Sequence, residues 1–449
     1  MVPGARVVVV GGGIAGLTAA FRLQQAGCDV VVVEQSGPEQ IGGRMNTTTR
    51  DGFAIDNGAT LLLSSYHEML KLAVDVGVAD QVLPTGDIFG ILWNGAVRRL
   101  RSGDKRALLK SDFVRGLNPI DGGKVAVDFL RMRSKLGWDD MTATAAQDFE
   151  TVREYCLRRG LRPETYQFLL GPFTSGPALA DPEEASLVSA FFAFNTIVVS
   201  GGGFTSADGV GFLPRALAAR ISVVHHARVT SIETRGGGAV VTWTHPVDGE
   251  TVQEASAVVV AVPPKQATPM CPGLPPALLD YFRHVKYSRA VHVAFGLDRP
   301  TRESSLLLQI PKIEHPTLAA FVMEHNQAPR RVPAGKGLVM AHLRGGWAVD
   351  NWEMDDDAVV EHVIGETRRL GVLPEIEHHA TFAEVVRLPL CTVIRRPGEY
   401  RYAARIAPVL RAQAPIHFAG SDYLGQSSTN GSLVSGERAA AAVLKGLRR

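Results

Sequence analysis

The chain opens on an apolar run without polar alternation, Arg6 to Val10 (RVVVV). Such a run reads as a strand buried on both faces, the kind found in parallel sheets. Glycines turn the chain, and Leu17, Ala20, Phe21 and Leu23 then recur at helical spacing as far as Gly27. A second apolar run, "DVVVVEQS" at 29–36, completes a βαβ unit. The pattern then changes. Residues 66–82 carry Met69, Leu70, Leu72, Ala73 and Val76 on one helical face, and from about 104 to 195 helical spacing dominates, broken at "NPIDGG" and "GPFTSGP". That stretch reads as an inserted domain. Residues 209–220 predict a helix, and 221–264 predict a β-meander with turns at 236–238 and Asp248-Gly249. "SRAVHVAFGL" (288–297) and "GLVMAHLRG" (337–345) predict strands of another sheet. Residues 355–371 predict a helix with Asp355, Asp356 and Asp357 at its positive end. The chain closes with "HFAGSDYLGQSSTNGSLVSGERAA" (417–440), a strand, a hydroxyl-rich loop and an alanine-rich helix.

Composition narrows the class. The 449 residues are 45% hydrophobic and 20% charged with a net charge of +2, an ordinary globular balance with no basic block for nucleic acid. Cys28, Cys156, Cys271 and Cys391 lie far apart with no ligand spacing, which predicts reduced thiols and no metal site. A strand beginning by Arg6 leaves no room for a signal peptide, so a cytoplasmic location is expected. The most apolar stretch, 185–199, is shorter than a membrane span and carries Asn195; it predicts a buried helix. No transmembrane segment is expected, peripheral membrane contact stays open, and a monomer or homodimer fits equally.

The N-terminal turn carries the first chemistry. In Gly11-x-Gly13-x-x-Gly16 the first glycine allows the tight turn, the second lets backbone approach a pyrophosphate, and the third lets helix and strand pack closely. The helix start, with Ile14 and Ala15, offers unpaired N–H groups and partial positive charge. Glu34, at the end of the second strand, suits two ribose hydroxyls and repels a 2′-phosphate. This turn alone does not choose between FAD and NAD.

The next segment, "IGGRMNTTTRDGFAIDNGATLLL" (41–63), supplies Gly42-Gly43-Arg44 and Asp56-x-Gly58. With the first turn and the closing loop, it resembles the flavin-dependent amine oxidase superfamily, which includes protoporphyrinogen oxidases and carotenoid desaturases. The resemblance implies an α/β fold: a Rossmann-like FAD-binding domain (GR2-type) with an inserted helical and β-sheet substrate domain. It divides the chain into an FAD-binding domain of 1-75, 208-285 and 405-449 and a substrate-binding domain of 76-207 and 286-404. It implies that Gly43 and Arg44 lie along the cofactor, that Gly58, Ala59 and Thr60 approach the flavin ring, and that Val229 meets adenine through its backbone. Near the C-terminus it places Gly420, Ser421 and Asp422 at the end of the last strand. Thr429 and Asn430 would aim the final helix start at the reducible ring. Cys391 stands near the position of a covalent flavin link in some members, but a lone buried thiol is usually inert, so non-covalent FAD is expected.

A flavin carries its own redox chemistry, so no catalytic triad is expected. His292 and His342 fall in the substrate sheet and are the acid/base candidates, with Asn195 a third. Two departures matter. The strand "YSRAVHVAF" has Val291 where many amine oxidases place a lysine, and Lys286 is out of register. Thr429 or Asn430 replaces the tyrosine that closes their aromatic cage. The loop "DYLGQ…STNG" is more similar to the desaturase and protoporphyrinogen oxidase branches. The expected activity is therefore an FAD-dependent oxidase or desaturase, dehydrogenating C–C or C–N bonds of a bulky, largely apolar small molecule. Phe191, Phe192 and Phe194 are candidates to line its pocket, or else plain helical core. An amine oxidase or protoporphyrinogen-type oxidase, a non-catalytic flavin-binding scaffold and an NAD-dependent dehydrogenase are the rival readings.

Overall fold

The computed structural model describes residues 4–102, 110–176, 179–198, 200–328 and 330–448. Five parallel strands form the first sheet, in the order Ser222–Val224, Asp29–Val33, Arg6–Val10, Ala257–Val260 and Ile416–Phe418. Its valines serve two cores, because alternate side chains leave opposite faces of a strand. Val7, Val9, Val30, Val32 and Val259 pack under the helices with Leu17 and Leu433. Val8, Val10, Val31, Val33, Val258 and Val260 pack against Trp243 and Phe282. The antiparallel strands Arg228–Arg235, Gly238–His245 and Gly249–Ala255 cover that second face. The meander expected over 221–264 is thus split: its outer strands join the parallel sheet and its middle three form their own.

The first and last helices, Ile14–Gln25 and Thr429–Gly446, lie against each other on the first face. A Cβ on Gly436 would stand 2.3 Å from the Ala15 carbonyl oxygen, so the helices touch backbone to backbone. The first and last helices of the chain therefore meet on the same face of the sheet.

The second sheet has seven strands: Ala380–Leu388, Ala290–Leu297, Gly337–Leu343, Leu318–Met323, Leu307–Gln309, Ile88–Trp93 and Ala96–Arg101. Val291, Val293 and Phe295 face the helix Asp356–Leu370 through Val359 and Val363. Ala294, Val322 and Met340 face Phe53 and Ile55 of the hairpin Thr47–Arg50/Phe53–Asp56. A helical layer of Pro119–Arg133, Val152–Arg159 and Leu187–Val198 closes around Phe129, Tyr155 and Phe191.

A buried ion cluster joins the hairpin to the second sheet. Arg331 is fully buried; its guanidinium donates to Asp56 and lies 2.7 Å from Glu324, also fully buried, and it reaches Thr205 Oγ1 at 2.7 Å. Burial pushes the Glu324 carboxyl up from 4.5 to about 8, against the pull of Arg331. One cation among two buried acids leaves the second acid unneutralised, which is why Glu324 holds its proton. Arg331→Ala is expected to cost about 3–5 kcal/mol, because it strands the buried Asp56 carboxylate. A denaturant melt of the variant against the parent measures this. Glu324 also fixes a pH dependence. Its folded pKa lies above its unfolded one, so its contribution is lost as pH rises from 4.5 through about 8. Glu324→Gln is expected to flatten the fall in melting temperature across that window.

Candidate functional site

The N-terminal turn is shaped by what its glycines exclude. Gly11 sits at φ +103, where side-chain-bearing residues are strained, and a Cβ on Gly16 would stand 2.0 Å from the Gly11 carbonyl oxygen. Gly13 differs: a Cβ there would meet nothing within 4 Å. That open space borders the start of a twelve-residue helix with no side-chain cap, so the first-turn N–H groups of Ile14, Ala15 and Gly16 have no intrahelical partner. Space for a group and donors aimed at it fit a phosphate. Glu34 stands beside the turn; its carboxylate accepts from the Gly12 N–H at 2.6 Å and the Ser36 N–H at 2.8 Å. Val229 is buried on the neighbouring strand, directly before its register shift.

The Gly42-Gly43-Arg44 turn lies on the same spot. Gly13 and Gly42 are bridged, and a Cβ on Gly43 would be 3.7 Å from the Gly13 Cα. Arg44 then reaches the C-terminal loop. Its Nη2 donates to Asp422 Oδ2 at 2.6 Å and its Nη1 to the Cys391 carbonyl at 2.8 Å, with the side chain 33% exposed. Gly58 and Ala59 follow: the Ala59 N–H donates to the Arg44 carbonyl, and a Cβ on Gly58 would clash with that oxygen at 2.4 Å. Residues 57–61, Thr60 among them, are half-buried although they lie between the two sheets, so they border open space.

Asp422 is fully engaged by protein donors. It accepts from Arg44, from the Tyr287 hydroxyl at 2.8 Å and from Ser427 Oγ at 2.7 Å. The Arg44 cation and these hydrogen bonds hold its carboxyl below the usual range in spite of burial. Tyr287 opens the strand YSRAVHVAF and Ser427 lies in the hydroxyl-rich closing loop, but Asp422 as their shared partner is not predicted by the sequence. Arg395 underpins the loop, donating to the carbonyls of Asp422 at 2.6 Å and Gly425 at 3.1 Å. Gly420 sits at φ +134, and Ser421 is buried against Ser432.

The final helix is capped by Ser428, which accepts the Gly431 N–H at 3.0 Å. The two N–H groups before it, on Thr429 and Asn430, are the orphan donors of this helix start. Asn430 is fully buried; its amide donates to Glu68 at 3.1 Å while its Oδ1 has no protein partner. Tyr66 bonds Thr429.

On the second sheet, register puts Gln309, Ala320, His342 and His292 in one row across four strands. His292 Nε2 lies 3.2 Å from the Asn57 carbonyl, next to Gly58, and the two imidazoles are 4.7 Å apart. Burial lowers His292 to about 4 and His342 well below its ordinary value, so both are neutral at pH 7. His342 Nε2 has no protein partner. Val291 faces the other way, into the layer beneath helix Asp356–Leu370. Phe191 and Phe192 are core, against Phe129, Tyr155 and Trp138. Phe194 and Asn195 are half-buried, and Asn195 Oδ1 is unpartnered. Cys391 is half-buried and its thiol is pushed up to about 11 by burial. Among the described residues no cluster of His, Cys, Asp or Glu is arranged to hold a metal.

A parallel sheet with a glycine turn at one end, a second turn stacked on it and a capped helix facing both define a dinucleotide-binding redox fold. The sequence model of the family described as flavin containing amine oxidoreductase matches residues 14–444, and the chain belongs to that family. It is a flavin-dependent oxidoreductase. Among its relatives, protoporphyrinogen oxidase 1 of Arabidopsis thaliana is 24% identical over 420 residues, covering 82% of this chain and 74% of that one. Coproporphyrinogen III oxidase of Bacillus subtilis is 22% identical over 411 residues, covering 81% and 82%. Similar solved structures include putrescine oxidase bound to putrescine (TM-score 0.80, 18% identity, 98% and 99% covered). A putative protoporphyrinogen oxidase from Exiguobacterium is another (TM-score 0.74, 18% identity, 99% of each chain covered).

The glycines separate a folding role from a binding role. Gly16→Ala is expected to lower both stability and flavin content, because its Cβ meets the Gly11 carbonyl. Gly13→Ala is expected to keep the melting temperature of the flavin-free chain and to lose bound flavin, because its Cβ fills only open space. Visible absorbance of the purified variants and a thermal melt distinguish the two.

Proposed function

We propose that the chain binds FAD non-covalently and dehydrogenates C–C or C–N bonds of a bulky, largely apolar small molecule. In this reading 1-75, 208-285 and 405-449 bind the cofactor, and 76-207 and 286-404 bind the substrate. Bound FAD supplies the two-electron acceptor. Gly11, Gly13, Ile14, Ala15 and Gly16 hold the pyrophosphate, Glu34 the ribose, and the Val229 backbone the adenine. Gly43, Gly58, Ala59, Thr60, Gly420 and Ser421 border the ring system. Arg44 acts with Asp422 as a pinned pair, joining the second turn to the closing loop. The N–H groups of Thr429 and Asn430 offset negative charge that develops on the ring.

One observation carries the choice of substrate. Val291 is fully buried on the far face of the sheet, so the side chains beside Asn57–Thr60 are the neutral His292 and His342 with the methyl of Ala320. These uncharged side chains offer no carboxylate to an ammonium group, so this wall suits an apolar substrate better than a polyamine. Two of the relatives are named as porphyrinogen oxidases. His342, with its unpartnered Nε2, accepts the proton the substrate releases, and His292 is oriented by the Asn57 carbonyl. Asn195 offers its unpartnered oxygen from the helical layer. The raised pKa of Cys391 keeps its thiol protonated, which supports non-covalent binding.

Anaerobic reduction across a panel of porphyrinogens, polyenes and amines tests the reading. Bleaching of the flavin by a porphyrinogen or polyene supports it; bleaching by small amines alone overturns it. His342→Gln is expected to slow bleaching by about 100-fold at unchanged flavin content. Acid precipitation is expected to release all the flavin, from Cys391→Ala and parent alike.

A further inference from the structure

We propose that Glu68 lowers the reduction potential of the bound flavin, by holding Asn430 and by placing a negative charge at the start of the final helix. The proposal rests on the reading that FAD binds with its ring at that helix start. Asn430 is fully buried there. Its Nδ2 donates to Glu68 Oε2 at 3.1 Å, and its Oδ1 has no protein partner. A carboxylate only accepts, so Glu68 decides which end of the amide faces it. The oxygen is left as a buried acceptor without a donor, which an N–H or hydroxyl of the cofactor can fill. Asn430 is therefore aimed by an acid 362 positions away in the sequence.

Glu68 also sits where charge acts on that helix. It is half-buried in the first turn of the helix His67–Val76, whose start carries no side-chain cap. The two helix starts are joined twice, by Glu68 to Asn430 and by Tyr66 to Thr429. One carboxylate thus serves the positive ends of two helices, which stabilises its charge. Asp422 pairs with Arg44, and Asp75, in the last turn of the same helix as Glu68, pairs with Arg22 and Lys71, whereas among the described residues Glu68 has no ion pair. Its charge therefore offsets part of the positive end that the final helix turns toward the ring. Reduction adds negative charge to the ring, and a carboxylate beside that helix start opposes it. A purely structural tie between the helices would need only a hydrogen-bond acceptor, which an amide supplies as well as an acid.

The midpoint potential of the purified flavoprotein, measured by anaerobic equilibration with redox dyes, tests the proposal. Glu68→Gln keeps an acceptor for Asn430 and removes the charge. It is expected to move the flavin reduction equilibrium about tenfold toward the reduced form, a rise of about 30 mV for a two-electron couple. Glu68→Asp keeps the charge and is expected to stay near the parent potential. Glu68→Ala removes charge and acceptor together, and is expected to raise the potential and to weaken FAD binding to the flavin-free chain. Asp75→Asn is expected to leave the potential unchanged, because that charge is already paired. An unmoved or lowered potential in flavin-bound Glu68→Gln overturns the proposal alone. So does an equal shift in Glu68→Gln and Glu68→Asp, which marks lost packing rather than lost charge. A Glu68→Gln chain that folds but loses its flavin also overturns it, since the charge then serves binding. A parent chain that binds no added FAD overturns the reading beneath the proposal, and the proposal with it.

Discussion

Backbone touches backbone at several places around the cleft, and three of these contacts, each admitting only glycine, set its layers. A side chain at Gly16 would collide with the Gly11 carbonyl, one at Gly58 with the Arg44 carbonyl, and one at Gly436 with the Ala15 carbonyl. The first packs the opening helix onto its strand. The second lays the Asn57–Thr60 segment on the Gly42-Gly43-Arg44 turn. The third brings the last helix onto the first. Remove any one and a layer of the site moves outward by the thickness of a methyl group. The approach is therefore a constraint on backbone spacing, and the polar groups of the cleft are placed by it.

Electrostatics then fixes what the spacing permits. Arg44 and Asp422 come from opposite ends of the sequence and meet at 2.6 Å, with Tyr287 and Ser427 completing the carboxylate's partners. A buried carboxylate with that many donors stays ionised and holds its loop in one place. Deeper in, Arg331 faces two acids, and the balance is met by a proton on Glu324. Both clusters tie residues near the second glycine turn to elements several hundred positions away. They explain how a cleft built from distant pieces keeps one geometry.

The sequence was most legible where physics demanded a residue type. Gly11, Gly13, Gly16 and the two valine-rich strands could be read directly, because turn and buried strand have few alternatives. The hairpin Ile88–Trp93/Ala96–Arg101 went unforeseen although Asn94-Gly95 marks its turn, with both residues at positive φ. The preceding strand lacks clean alternation, since one of its faces meets Phe168 rather than solvent. Phe191 and Phe192 could not be sorted from pocket residues by sequence, since a helix between two apolar layers shows no polar face. The partners of Asp422 were beyond reach, since Tyr287 lies 135 positions away and its role comes from one hydrogen bond.

Val291 shows how a sheet's period of two governs chemistry. A lysine at that position would enter the apolar layer formed by Val293, Phe295, Val359 and Val363, where its charge would have no counterion. The neighbouring His292 faces the cleft side, and in that burial it stays uncharged. The lysine's absence is thus a consequence of register as much as of residue choice, because the cleft-facing position on this strand is 292. An imidazole there keeps a donor and an acceptor without bringing a fixed charge into the space between sheet and hairpin. That combination suits a hydrogen-bonding wall for a substrate whose binding depends on apolar contact. A cation in the same place would attract anions and repel amines.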